Sequence, residues 1–316
     1  MIKRIKFENF RSFVKAEAEL QPFTLVIGTN GAGKSNLLKW FAYIGTNKDL
    51  AEQAHILHGN MPSFWDIEMA DGHLYTSRNL DIFSILDEST WGGALFKGVL
   101  VYCPDPEVIS LEELIVVDPW VDSDGAGTVQ VLDSLKNGNR EDLFDRIEEN
   151  FRRYIPEVEK LSLLSTGEGK KVVQVREKGL GGKALPASEL SEGTRLILCI
   201  LTIIHQEIPP PVILLEDIDR GMHPRLFDQI APLMRQIAEE HNINIIATTH
   251  NPYLVDAFQD AKECVLLVEK VDGASILVPL TERLKEMDYD EVESDMPLGQ
   301  LWYSGLIGAV PQRQSK

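Results

Sequence analysis

Cysteine is scarce in this chain: Cys103, Cys199 and Cys264 are widely separated and form no CxxC pair. Their number and spacing exclude a disulfide framework and a cysteine-based zinc site, and accord with a reducing compartment. Long hydrophobic runs are missing too. The longest, Leu196 to Ile204 with Thr202 interrupting it, is about half of the ~20 residues a membrane-spanning helix needs. The opening MIKRIKFENF lacks the apolar segment of a secretory signal. A soluble, cytoplasmic protein with no membrane partner is the expectation. Positive charge is also short, with 31 Lys and Arg against 49 Asp and Glu and a net charge of −18. A surface that wraps nucleic acid throughout is thereby excluded, because affinity for phosphates comes mainly from Lys and Arg; a local basic patch is not. The chain has no internal repeat, heptad run or low-complexity tract.

What is present is an ordinary globular composition, 316 residues with 44% hydrophobic and 25% charged, enough chain to bury a core. The start alternates polar and apolar residues (Ile2, Ile5, Phe7), as a half-buried strand does. A strand over 23–27 runs into Gly28 and then an amphipathic helix over 34–43. Residues 50–120 read as a lobe of mostly antiparallel strands, with runs at 80–86 and 98–102. From Arg140 to Tyr154 the pattern puts Leu143, Phe144, Ile147 and Phe151 on one helical face. The basic stretch GEGKKVVQVREKGLGGK reads as a strand pair with a hairpin. In the last third an apolar helix (194–206) precedes a strand (212–215), a helix (224–239) and strands at 243–247 and 264–268. Apolar strands alternating with helices imply a parallel sheet covered on both faces.

Three stretches carry chemistry. GTNGAGKS, with Gly28, Thr29, Asn30, Gly31, Ala32, Gly33, Lys34 and Ser35, fits G-x-x-x-x-G-K-[ST] between a strand and a helix. Its glycines let backbone N–H groups close around phosphate oxygens, and the helix N-terminus adds favourable partial charge. Lys34 is then the cation for the β- and γ-phosphates and Ser35 a Mg²⁺ ligand. VILLED ends a buried strand on two carboxylates, and strand C-termini in a parallel sheet face the ligand crevice. Glu216 is thus assigned to the Mg²⁺ shell and Asp217 to the attacking water. ATTHNPYLVD puts His250 beyond the next strand, 33 residues after Asp217, room for one helix and one strand.

Ser191-Glu192-Gly193-Thr194 heads the apolar helix. Read alone it is an N-cap, with Ser191 satisfying orphan N–H groups. The helix behind it is apolar nearly all round and so buried, which leaves its N-terminus as the end that meets a ligand. A serine and glycine there make an anion site. Since the chain's own P-loop already holds one set of phosphates, the expected ligand is the γ-phosphate on a second copy.

LSEGT resembles the signature motif of ABC-type ATPases, and the order P-loop, signature, Walker B, switch histidine matches, with 25 residues from Ser191 to Glu216. FENFRSF, ILLEDIDRGMHP and ATTHNPYLVD are similar to the RecF/SMC/OLD-like branch. The nearest likeness is to compact AAA-type ATPases of prokaryotic defence and abortive-infection loci, which the closing LGQLWYSGLIGA also resembles. The resemblance covers the first 40 residues and most of 122–310. It implies an α/β P-loop head with a mixed central sheet, helices around it and an antiparallel β lobe, without a long coiled coil. One ABC-type domain is expected over 1–316: 1–48 in the core, 49–121 as the β lobe, 122–190 as a helical and hairpin subdomain, and 191–316 completing the core. The resemblance further implies a homodimer that sandwiches two ATP with Mg²⁺, each held by one P-loop and the other chain's Ser191 and Gly193. Arg11 falls near the nucleotide, His250 senses the γ-phosphate, and Asp219 to His223 lie where the D-loop crosses the interface. The function implied is an ATP-hydrolysing switch regulating a separate effector protein; the alternative is a RecF-like DNA-repair ATPase.

The chain departs from the branch at Glu216-Asp217, where Asp-Glu or Glu-Glu is usual; the shorter aspartate reaches about one methylene less far, and slow turnover is expected. Gln53 and Gln130 both stand as candidates for the glutamine that contacts Mg²⁺. CVLLVEKVDG with Asp288 and Asp290 is similar to fragments of a TOPRIM nuclease, but too few residues separate Glu269 from Asp288 for that domain. A last sheet strand followed by an acidic linker over 282–295 is the better account. DSDGAG has Ala126 where a calcium loop needs a ligand, so it reads as a turn. His55 and His58 have no third metal ligand. Lys170, Lys171, Arg176, Lys178 and Lys183 read as a solvated hairpin in preference to a nucleic-acid patch.

Overall fold

The alternation at the start of the chain folds as two antiparallel strands, β1 (Ile2–Phe10) and β2 (Phe13–Glu19), with Ile5, Phe7, Phe13 and Ala16 buried. The computed structural model describes residues 1–45, 64–76, 99–179, 181–207, 209–220, 222–287 and 296–309. The run at 80–86, Gln53, His55, His58, Asp288 and Asp290 lie outside the described residues. The chain divides into two compact units. One comprises 1–101, 210–219 and 231–316, the other 102–209 and 220–230.

In the first unit β1 also pairs antiparallel with β4 (Phe64–Met69), which pairs with β5 (Leu74–Thr76), giving the order β2-β1-β4-β5. The second sheet is built on β3 (Phe23–Gly28), whose residues are all buried because both faces are covered. Short β6 (Val101–Tyr102) marks where the chain leaves this unit, and β7 (Glu113–Leu114), β8 (Val158–Gly167), β9 (Lys170–Glu177) and β10 (Ala184–Pro186) belong to the other. The chain returns as β11 (Val212–Leu215), β12 (Asn244–Thr248), β13 (Val265–Val271) and β14 (Ala274–Pro279). Strands β11, β12, β3 and β13 run parallel in that spatial order, and β14 closes the edge antiparallel to β13. The sheet is therefore mixed. Helix α1 (Lys34–Gly45) follows β3 directly, and its Trp40 stacks on Phe7 with centroids 4.3 Å apart. That ring pair belongs to a buried cluster with Ile5, Phe13, Leu37 and Phe41 that joins the antiparallel sheet to α1.

The second unit holds α2 (Thr128–Asn137), α3 (Glu141–Tyr154) and α4 (Glu192–His205). On α3 the apolar face read from the sequence is buried at Leu143, Phe144, Ile147 and Phe151. Both β8 and β10 pair antiparallel with β9, so the basic stretch forms strand and hairpin as expected. Helix α4 is buried from Arg195 to His205. Its one charged interior residue, Arg195, reaches Glu107 at 3.3 Å.

Downstream come α5 (Phe227–Glu240), α6 (Pro252–Asp256), α7 (Leu280–Glu286) and α8 (Leu298–Ser304). The expected acidic linker is corrected over its first part, where 282–286 are helical. Leu280 and Leu284, four residues apart, bury the face that turns these residues into α7.

Candidate nucleotide site

Parallel register decides where the site forms. Val26 lies opposite Thr248 and Leu215 opposite Ala247, so β3, β12 and β11 end at one edge of the sheet. The chain leaves them as the P-loop, as Thr249-His250 and as Glu216-Asp217. All of these residues belong to the first unit.

Gly28 ends β3 with a backbone so close to β13 that a Cβ there would meet the Val268 carbonyl at 2.4 Å. The loop then turns through Gly31 (φ +77) and Gly33 (φ +124), conformations that favour glycine. Asn30 and Gly31 are exposed, Thr29 is half-buried, and Ala32 is buried. Lys34 is 6% exposed, and its ammonium donates to the carbonyls of Gly28 (2.8 Å) and Thr29 (3.1 Å). Burial pushes its pKa down to about 8, against the opposing pull of Asp217 and Glu216. Next to it the Ser35 hydroxyl donates to the Glu216 carboxylate.

Asp217 takes a left-handed backbone (φ +51), uncommon for a non-glycine residue. Its N–H donates to Thr248 Oγ1 at 3.0 Å and the next N–H, of Ile218, to the Thr248 carbonyl at 3.1 Å. Those bonds from the neighbouring strand hold the turn that separates the two carboxylates. Glu216 goes to Ser35, while Asp217 lies 3.9 Å from His250 Nε2, both side chains half-exposed. Thr249 donates to Asp219 and accepts from the Asn251 N–H at 2.9 Å, fixing the backbone beyond β12. Thr248 and Thr249 were not singled out from the sequence, although the doublet directly before His250 was the available signal.

Arg11 sits in the β1–β2 turn at φ +50, with its guanidinium 5.8 Å from the Phe10 ring centroid. In the second unit, Ser191 is the N-cap of α4. Its hydroxyl accepts from the Thr194 N–H at 3.1 Å; Ser191 is exposed and Gly193 buried. Gln130 lies half-buried on α2 of that unit. Residues 122–127 form a turn, closed by Asp122 N–H to the Ala126 carbonyl at 2.7 Å. Glu269 is held by Arg283 at 2.5 Å and by the Ala309 N–H at 2.7 Å.

The donor set suits Mg²⁺ with a nucleoside triphosphate. Among the described residues no group of three or more His, Cys, Asp or Glu converges as an all-protein metal cage. Mg²⁺ is ordinarily held by one carboxylate or two together with phosphates and waters, a set to which Ser35 and Glu216, bonded to each other here, could contribute. The buried ammonium of Lys34, bonded to the Gly28 and Thr29 carbonyls, is a cation placed to balance phosphate charge.

The fold is similar to that of solved SMC head domains. A solved Smc head bound to the C-terminal winged-helix domain of ScpA matches with a TM-score of 0.58 at 17% identity, over 90% of this chain and 99% of that one. An Smc head with an extended coiled coil, bound to the C-terminal domain of ScpA from Pyrococcus furiosus, matches at 0.55 and 15% identity, over 93% and 99%. At these identities the likeness is one of fold. More particularly, residues 112–256 match the family described as "AAA domain, putative AbiEii toxin, Type IV TA system". Residues 1–87 match the one described as "AAA ATPase domain". No curated protein matches the chain.

Proposed function

We propose that this chain is an ATP-hydrolysing switch, a single ABC-type head that closes on a second copy around ATP and Mg²⁺ and acts on a separate effector protein. The observation that carries the reading is the Ser35–Glu216 contact. It joins the P-loop to the Walker B strand at the edge where Lys34, Asp217 and His250 also emerge. ATP with Mg²⁺ supplies the electrophilic γ-phosphorus and a neutralising charge. Gly28 to Gly33 offer backbone N–H groups to the phosphates, with Lys34 as the compact cation. Ser35 and Glu216 would hold the metal. Asp217 takes the proton of the attacking water as the water's oxygen bonds to the γ-phosphorus and ADP leaves. His250 orients that water and senses the phosphate. Ser191 and Gly193 of the second copy complete the phosphate shell, and Arg11 lies near the nucleotide. Closure follows because ATP makes contacts across the interface only in the closed state.

A protein partner is supported by the solved Smc heads, both bound to part of ScpA. A defence role is supported by the toxin–antitoxin family matched over 112–256. The RecF-like alternative needs free cations. Lys170 instead pairs with Glu112 (3.0 Å), Lys171 with Asp133 (2.5 Å) and Lys178 with the Pro156 carbonyl (2.8 Å), while Lys3 and Arg4 face Glu68 and Glu19. Exposed pairs are weak in energy, but the acidic partners of Lys170, Lys171, Lys3 and Arg4 reduce the local positive charge a phosphate backbone would read.

The test is Asp217→Asn. Loss of a general base costs ~10²–10⁴ in rate, so steady-state turnover should fall at least a hundredfold with ATP affinity within threefold of wild type. Normal turnover in that variant places the base elsewhere.

A further inference from the structure

Behind the phosphate-binding face, a chain of hydroxyls runs from α1 to the P-loop backbone through two residues distant in sequence. Asn36 Nδ2 donates to Ser12 Oγ at 2.8 Å. Ser12 Oγ lies 2.7 Å from Ser275 Oγ, and Ser275 is hydrogen-bonded to the Ala32 carbonyl. The backbone repeats the link, with the Ser275 N–H donating to the Ser12 carbonyl at 2.7 Å. The side chain of Ser275 is wholly buried.

Proton counting gives the chain one direction. A carbonyl has no proton, so the single Ser275 proton goes to Ala32, the Ser12 proton goes to Ser275, and Ser12 accepts from Asn36. Every member is then satisfied. A buried hydroxyl contributes modest net energy when bonded, and alanine at 275 would leave the Ala32 carbonyl without this donor. What the hydroxyl adds is an orientation. In a planar trans peptide the C=O and N–H point opposite ways. Tying the Ala32 carbonyl to Ser275 therefore aims the Gly33 N–H away from β14. Gly33, at φ +124 with no side chain, resists rotation of that peptide little by itself. A rotated peptide would present a carbonyl oxygen to phosphate in place of an N–H.

We infer that Ser275 and Ser12 are positioning residues for ATP, locking the Ala32–Gly33 peptide in its anion-receiving orientation and tying the Arg11 turn to the same loop. This rests on the P-loop being an ATP site, and the experiment separates the two claims.

Titrate a fluorescent ATP analogue with Mg²⁺ into wild type, Ser275→Ala, Ser12→Ala, the double variant and Lys34→Ala, and measure KM and kcat on the same samples. One hydrogen bond of ~1–1.4 kcal/mol corresponds to about a tenfold change. Kd and KM should rise five- to tenfold in Ser275→Ala and at least threefold in Ser12→Ala, with kcat within twofold. The double variant should be no weaker than the weaker single one, because members of one chain do not add. Ser12→Ala, on a half-buried turn, tests the chain from its other end if Ser275→Ala does not fold. Affinity within twofold of wild type in both single variants, or fully additive losses, overturns the positioning role while Lys34→Ala still abolishes binding. Failure of wild type to bind the analogue overturns the ATP site and this inference together.

Discussion

Lys34 carries a pH dependence whose sign follows from its burial. Unfolded, it keeps its proton up to about 10.5, whereas the nucleotide-free fold gives it up near 8. Between those values the unfolded chain binds more protons, so this group makes the free protein more stable as pH rises. Phosphate needs the charged form, so ATP affinity moves the opposite way. It should weaken by about tenfold per pH unit above 8, with proton uptake on binding. Calorimetry at pH 7 and pH 9 in buffers of different ionisation enthalpy would show this, and an uptake-free titration at pH 9 would contradict it. Lys34 was legible in the sequence because motif and spacing are local. Ser275 was not: one serine in a strand carries no signal until the fold brings it to Ala32.

Gly127 shows how an element depends on one backbone position. It precedes α2 at φ +86, and a Cβ there would lie 2.0 Å from the Trp120 carbonyl. Left-handed backbone with a side chain costs ~1–2 kcal/mol before any clash. Gly127→Ala should therefore lower stability by about 2 kcal/mol or more, read as an earlier denaturant midpoint with unchanged slope. Helices α3 and α4 and strands β11 and β12 were legible because periodicity and continuous apolar runs report burial directly. Strand β14 was missed. It is an edge strand with mostly half-buried residues, so neither alternation nor a hydrophobic run marks it. The turn that makes it, Asp272-Gly273 with both φ near the left-handed region, was present as the dipeptide DG, a strong hairpin signal.

The proposed closure of two heads around nucleotide is tested at the scale of the assembled molecule. Light scattering should show a monomer without nucleotide and twice that mass for Asp217→Asn with ATP and Mg²⁺. Ser191→Arg should stay monomeric with ATP while binding it within threefold of wild type, because bulk and charge at the N-cap obstruct the partner's phosphates. A dimer of Ser191→Arg at wild-type yield would remove Ser191 from the interface. The strand order β13-β3-β12-β11 underlies the site itself, since it puts three segments distant in sequence at one sheet edge.

Local patterns in the chain were sufficient for the glycine-rich loop between strand and helix, the carboxylate pair after a buried strand, the capped apolar helix and the alternation of strands with helices. Each depends on residues a few positions apart, where spacing dictates backbone geometry. The contacts between those pieces were decided by packing. Ser35 meets Glu216 across 181 residues and Ser275 meets Ala32 across 243, because parallel register and a hairpin edge place them there. No local period encodes which strand lies beside which; that follows from burying two covered sheet faces with every backbone group paired.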